Sequence, residues 1–249
     1  MGIESENIWH TKDRSETAYD RMPDRIMYNN TKVINPALGI NIYKNTFSEN
    51  DCNDIISTLE NELNSSSPYS WEGARVTESQ DELLDARNCL DFKIGQGCLG
   101  PENEHNQELY RIHKKSFDRI HPHVQDYGNY WGVGMNYYEV FNYVKYEGVG
   151  KHFRVHADHG PAYVTTVSAV AYLNDNYSGG ELIFPRFNLT IKPDAGDLVV
   201  FPSTYIYEHS SEPIIDGTKY SIVVMTDYND RGGAKYFDYT KFDNGKIIY

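Results

Sequence analysis

Apolar residues recur at Cys52, Ile55, Ile56, Leu59 and Leu63. That spacing gathers them on one face of an α-helix. Ser48-Glu49-Asn50-Asp51 ahead of them reads as a capping box, with Ser48 as N-cap and an acid three residues on. A strand-like run, residues 39–47, precedes this helix. A second helix is predicted over 104–127, with Leu109, Ile112, Ile120 and Val124 along one side. From Tyr137 the period shortens to that of β-structure. Runs rich in Val, Ile, Tyr and Thr occupy 140–146, 163–173, 181–184, 188–191, 198–201 and 219–226. Turn residues punctuate them at 148–150, 174–180, 193–196 and 216–217. Many short strands in series predict an all-β core flanked by helices, an α+β chain of sandwich or jelly-roll type.

Two stretches lack this patterning. Residues 1–36 are polar with little periodicity and read as an N-terminal arm. Residues 64–103 are polar and Gly/Ser-punctuated, anchored only by Trp71 and Leu83-Leu84. Long loops in compact domains are usually functional or disordered, so residues 71–97 are expected to form a lid. No internal repeat appears, and residues 37–249 read as a single domain with its jelly-roll core at about 137–228.

Composition narrows the function. The 249 residues are 39% hydrophobic and 14% aromatic, enough for a core. Asp and Glu number 36 against 23 Lys and Arg, a net charge of −13. Such a chain repels phosphate backbones and anionic lipid, so neither nucleic acid nor membrane is expected as a partner. No apolar run approaches a membrane span. Residues 1–7 are polar and acidic, unlike a signal or transit peptide. Cys52, Cys89 and Cys98 are an odd set without close pairs, unlike a disulfide framework. A cytoplasmic location is expected.

The informative segment is His156-Ala157-Asp158. On an extended strand, residues two apart share a face, so both side chains can meet one metal ion. Downstream, the apolar run Asp197-Leu-Val-Val-Phe-Pro202 leads to His209. Two histidines and a carboxylate on one face of a metal leave adjacent positions open, as in non-haem Fe(II) oxygenases. Ten residues after His209, Lys219 enters the run Ile222 to Met225, and a lysine pointing inward there needs an anionic partner. His121-Pro122-His123 has ligand-like spacing, but on a helix residues two apart do not face together. His152, His159, Arg154, Trp71 and Arg87 are candidate substrate contacts by neighbourhood alone.

His156-x-Asp158, His209 and then Lys219 together resemble the Fe(II)/2-oxoglutarate-dependent dioxygenases of the prolyl 4-hydroxylase-like family. Linking segments match as well: Tyr172-Leu-Asn-Asp, Gly179-Gly180-Glu-Leu-Ile-Phe-Pro185, Lys192-Pro-Asp-Ala-Gly196-Asp197 and Asp216-Gly-Thr-Lys219-Tyr-Ser. The resemblance is firm over 140–228, looser over the first helix, and does not cover 1–36. It implies a double-stranded β-helix binding Fe(II) through His156, Asp158 and His209. It implies 2-oxoglutarate as co-substrate, with Lys219 on its distal carboxylate and Tyr146 and Tyr172 lining its pocket. Dioxygen would be the oxidant and ascorbate a supporting reductant. The implied reaction hydroxylates an unactivated C–H bond of a prolyl or other amino-acid residue, in a peptide or small-molecule substrate, releasing succinate and CO2.

Two departures bear on the substrate. Where prolyl hydroxylases of this family tend to carry a substrate-contacting arginine, this chain has Thr165, and after Gly-Gly-x it has Leu182. A cupin-like jelly roll that binds a metal or small ligand without oxygenase activity shares the Pro193-x-x-Gly196-Asp197 segment. Lys219 separates the two readings, since a plain binding module has no use for a buried cation ten residues past the metal histidine.

Overall fold

The computed structural model describes residues 27–28, 31–62, 69–75, 85–94, 104–160, 164–228, 242–243 and 246–247. Strands β1 (Met27–Tyr28), β2 (Thr31–Ala37) and β3 (Ile40–Tyr43) precede helix α1 (Glu49–Glu62). Strands β4 (Glu72–Gly73), β5 (Arg87–Asn88) and β6 (Leu90–Ile94) lead to helix α2 (Glu104–Trp131). Then come β7 (Tyr137–Tyr138), β8 (Phe141–Glu147), β9 (His152–His156), β10 (Val167–Tyr172), β11 (Ser178–Gly179), β12 (Leu182–Phe184) and β13 (Leu189–Ile191). They are followed by β14 (Leu198–Pro202), β15 (His209–Ser211), β16 (Ile214–Asp216) and β17 (Thr218–Asp227), with a last hairpin β18 (Phe242–Asp243) and β19 (Lys246–Ile247).

The larger sheet runs β1-β2-β3-β14-β10-β17-β8-β6-β4, with β7 also on β17. The smaller runs β13-β12-β15-β9-β5. All pairings are antiparallel. Every residue of the central strand β10 is buried, because both faces are covered. Ala169 and Ala171, with Leu198, Val200, Ile222 and Val224, meet Ile55 and Leu59 of α1 and Leu109, Ile112, Ile120 and Val124 of α2. On the opposite face Val170 and Tyr172, with Val199 and Phe201, meet Leu182, Phe184 and Ile191 of the smaller sheet. Side chains alternate at period two, so one strand serves both cores. The fold is a double-stranded β-helix backed by two helices.

Helix α1 starts where its sequence directs. The amide of Asp51 donates to Ser48 Oγ (3.1 Å) and the amide of Ser48 to Asp51 Oδ2 (3.3 Å), a reciprocal cap. Helix α2 runs four residues past the expected end at Tyr127. It stops where Gly132 takes φ +69°, with Val133 N bonded to Gly128 O and Gly132 N to Asn129 O, a Schellman closure.

Two expectations need correction. The boundary expected at residue 36 falls inside β2, which pairs with β3 (Val33 opposite Tyr43) and buries Val33. Polar Lys32 and Asn35 and the helix-incompatible Pro36 hide that strand's alternation. The expected lid is in its described part fixed structure. β6 pairs along β8 from Leu90 opposite Lys145 to Ile94 opposite Phe141, and Phe92 and Ile94 are buried. A buried acid, Asp91, breaks the apolar alternation there and hides the strand in the sequence. Residues 76–84, with Leu83-Leu84, and 95–97 lie outside the described residues.

Candidate metal centre

His156 is the last residue of β9 and stands opposite His209, the first of β15. Asp158 lies two residues past the end of β9. The three side chains converge so that one ligand atom from each lies within 4.8 Å of the others. His156 Nε2 is 3.3 Å from Asp158 Oδ1 and His209 Nε2 is 3.7 Å from Asp158 Oδ2. On the far side of each ring, Nδ1 lies against a backbone carbonyl two residues back, Arg154 O at 2.8 Å and Tyr207 O at 3.1 Å. A carbonyl only accepts, so each Nδ1 carries a proton and each Nε2 is the atom turned to the cluster.

The electrostatics agree with this tautomer. Burial pushes the His209 imidazole down to about 4, so it is neutral at neutral pH, the form that ligates. Burial alone would raise the Asp158 carboxyl, but the two imidazoles and the Ser168 hydroxyl outweigh it and hold the group well below the usual carboxylate range. Two imidazole Nε2 atoms and an ionised carboxylate therefore face one another at one point. That donor set fits a metal cation, and two imidazoles with one carboxylate suit Fe(II). The rings are packed in place: Phe153 stacks on His156 at 3.5 Å between centroids, and Phe201 meets His209 edge-on at 4.8 Å.

Two residues beyond His209 on β15, Ser211 begins a second site. Its Oγ accepts a hydrogen bond from Lys219 Nζ (2.8 Å), and the Gly180 carbonyl accepts another (2.8 Å). Lys219 stands opposite Tyr146 in the β17–β8 ladder, with its ammonium 4.8 Å from the Tyr146 ring centre and 5.3 Å from that of Tyr172. Gly180, at φ +66°, lets its carbonyl approach this closely; a Cβ there would lie 2.7 Å from Ile214 Cδ1. Lys219 is 3% exposed, and no ion pair to it forms among the described residues. An ammonium has three donors, so one is left for a ligand. Two residues of strand advance about 6.6 Å, so β15 spans from a metal end at His209 to a cationic end at Ser211 and Lys219. That is the reach of a short dicarboxylate.

The structure thus brings His156, Asp158 and His209 together at one point and Lys219, Tyr146 and Tyr172 at another. The other candidates lie as follows, with His159 Nδ1 on the Thr165 carbonyl at 2.7 Å. Trp71 packs edge-on against Phe92 in the helix-side core, with Lys145 over its ring. Arg87 is tied to Asp91 (2.7 Å) and lies over Phe153, behind the His156 ring. Ring nitrogens of His152 contact the carbonyls of Gly150 and Asp85. His121 stacks on Phe117, and His123 bonds Arg119 O within α2. Arg154 is exposed. Thr165 is buried and bonds the Thr226 carbonyl, so it cannot stand in for a substrate-contacting arginine. Sequence reasoning missed Ser211 and Ser168. The second is a lone hydroxyl inside the apolar run Val167–Tyr172, and that interruption was the available signal.

Comparison with known proteins bears on this geometry. Residues 141–226 match the model of the 2OG-Fe(II) oxygenase superfamily. A PKHD-type hydroxylase of Cupriavidus pinatubonensis is 39% identical over 70 residues, 26% of this chain and 30% of that protein's length. Among solved structures, a prolyl hydroxylase of Trichoplax adhaerens, in complex with a hypoxia inducible factor peptide, superposes with TM-score 0.61 at 19% identity. It covers 76% of this chain and 84% of its own. A Pseudomonas putida prolyl-4-hydroxylase gives TM-score 0.56 at 19% identity, covering 76% of this chain and 92% of its own. At these identities the superpositions bear on the fold alone.

Proposed function

We propose that this chain, whose residues 141–226 match the 2OG-Fe(II) oxygenase superfamily, is an Fe(II)- and 2-oxoglutarate-dependent dioxygenase that hydroxylates a C–H bond of a prolyl or other amino-acid residue in a peptide. The observation that carries it is Lys219: a buried ammonium with a free donor, one short strand from three converging metal-ligand atoms. His156, Asp158 and His209 would hold Fe(II). Bound there, Fe(II) and O2 supply the oxidising chemistry that converts 2-oxoglutarate to succinate and CO2 as one oxygen atom enters the substrate.

The remaining work belongs to the chain. Lys219 and Ser211 bind the distal carboxylate, and the Tyr146 and Tyr172 rings wall the pocket and exclude water around the pair. The Nδ1–H groups of His156 and His209 stay hydrogen-bonded to the carbonyls of Arg154 and Tyr207, so neither ring turns. We place ascorbate as a supporting reductant and the cytoplasm as the location, where the buried free thiols of Cys52 and Cys89 suit a reducing medium. No helix among the described residues is long and apolar enough to cross a membrane. A metal-binding cupin leaves Lys219 without a use.

The test is succinate release on a panel of peptides and free amino acids, with His156→Ala, Asp158→Ala, His209→Ala and Lys219→Ala. Each metal-ligand variant should lose turnover while leaving the fold largely intact. Lys219→Ala leaves an anion without its partner, a loss of roughly 3–5 kcal/mol, about two to three and a half decades in 2-oxoglutarate affinity. Near-normal affinity in Lys219→Ala, or full turnover in Asp158→Ala, would overturn the reading.

A further inference from the structure

His156 and His209 are fixed by strand register and by their Nδ1 bonds, but Asp158 lies beyond the end of β9 and has neither support. What holds it is a chain of buried hydroxyls. Ser168 Oγ is 2.6 Å from Asp158 Oδ2 and 2.7 Å from Ser203 Oγ. Ser203 Oγ in turn lies 3.5 Å from Thr165 Oγ1, which donates to Thr226 O at 3.1 Å. Ser168 is 0% exposed, and Ser203 and Thr165 are each 1% exposed. Hydroxyls buried like this destabilise a fold unless they are hydrogen-bonded.

A hydroxyl has one proton, which fixes the direction of the chain. An ionised Asp158 accepts only, so the Ser168 proton goes to Asp158 Oδ2. Ser168 can then only accept from Ser203, while Thr165 gives its proton to the Thr226 carbonyl. The amide of His159 donates to Ser203 O (2.9 Å) and that of Ser203 to Thr166 O (3.0 Å), pinning the backbone on both sides. With Oδ2 engaged by Ser168, the plane of the carboxylate is set and Oδ1 stays toward His156 Nε2.

We infer that Ser168, backed by Ser203, is the positioning residue that orients the Asp158 carboxylate toward the metal ion. This rests on the reading of His156, Asp158 and His209 as ligands. Partners in the outer shell of a metal site are commonly worth 10–100-fold in metal affinity. The strand position explains why the device is a serine. Ser168 faces the smaller sheet together with Val170 and Tyr172, where a longer polar side chain would run into Asp158 itself.

The experiment is anaerobic titration of the full chain with Co(II) alone, read as a dissociation constant and as the visible ligand-field spectrum. The proteins compared are wild type, Ser168→Ala, Ser203→Ala, the double variant and Asp158→Ala. Ser168→Ala should weaken Co(II) by about 10–100-fold and change the spectrum, in an apo-protein that still folds and unfolds cooperatively. Ser203→Ala should weaken it less. The double variant should match Ser168→Ala, because Ser203 acts only through Ser168. Wild-type affinity and spectrum in Ser168→Ala, or additive losses in the double variant, would overturn the inference. If Ser168→Ala does not fold, Ser203→Ala decides alone, and an unchanged spectrum there overturns it too. A wild type that binds no Co(II), or an Asp158→Ala variant that binds it equally, would instead sink the ligand assignment.

Discussion

Burial, with Lys192 nearby, pushes the Lys219 ammonium down to about 7. A carboxylate bound against it favours the charged form and draws its pKa up again. Below pH 7 the side chain is protonated with or without ligand, so 2-oxoglutarate affinity should be flat with pH. Above pH 7 binding must take up a proton, and the affinity should fall by up to tenfold per pH unit. Titrations from pH 6 to 9 on the metal-loaded protein check this. Lys219→Arg keeps its charge throughout that range, so it should bind more weakly than wild type but without the slope. Equal slopes for the two proteins would mean that another group titrates. At this scale much was legible. The residue types and spacing of His156, Asp158 and His209 marked them as a candidate ligand set, and they do converge, while the role expected of Lys219 came from the family resemblance. Ser211 and Ser168 were not so marked, because serine is common and its role here depends on what lies opposite it.

Helix α1 is held at both the backbone and the side-chain level. Its reciprocal Ser48–Asp51 cap satisfies two amides, and Ser48→Ala should cost about 1 kcal/mol, roughly 2–4 °C of thermal midpoint in a chain of this size. One turn on, Asp54 accepts from both Arg111 Nη1 (2.5 Å) and Nη2 (2.9 Å) of α2 and from Lys115 (2.6 Å). Those hydrogen bonds, Arg111 foremost, hold the Asp54 carboxyl down to about 2. A depressed folded-state value means stabilisation that is present above about pH 4 and lost as the pH falls toward 2. Acid titration of stability should show this limb in wild type, and Asp54→Asn should remove it. The cap and the apolar face of α1 were legible in the chain because helical signals are local. The pairing of Asp54 with residues 57 and 61 positions away was not.

For the whole molecule, β6 is the element that most changes the expected picture. A lid over the metal would exchange its amides freely until substrate closes it. Leu90–Ile94 instead hydrogen-bonds along β8 and buries Phe92 and Ile94, so its amides should be among the slowly exchanging set without any ligand. Fast exchange there that slows when 2-oxoglutarate and substrate are added would restore the lid. The sequence by itself determined the helices, the succession of short strands and the candidate metal-ligand residues, because periodicity, caps and turn residues act over a few neighbours. It also carried the functional reading as far as a reaction class. Only the tertiary structure decided which strands share a sheet, that residues 31–37 and 90–94 extend the larger one, and that Trp71 belongs to the core. It alone placed Lys219 inward beside Ser211 and closed the hydroxyl chain behind Asp158. The physical reason is that strand pairing and the burial of a polar group are settled by partners far along the chain. Lys219 and Gly180 are 39 residues apart in sequence, and Ser168 and Ser203 are 35 apart, yet each pair meets within one hydrogen bond.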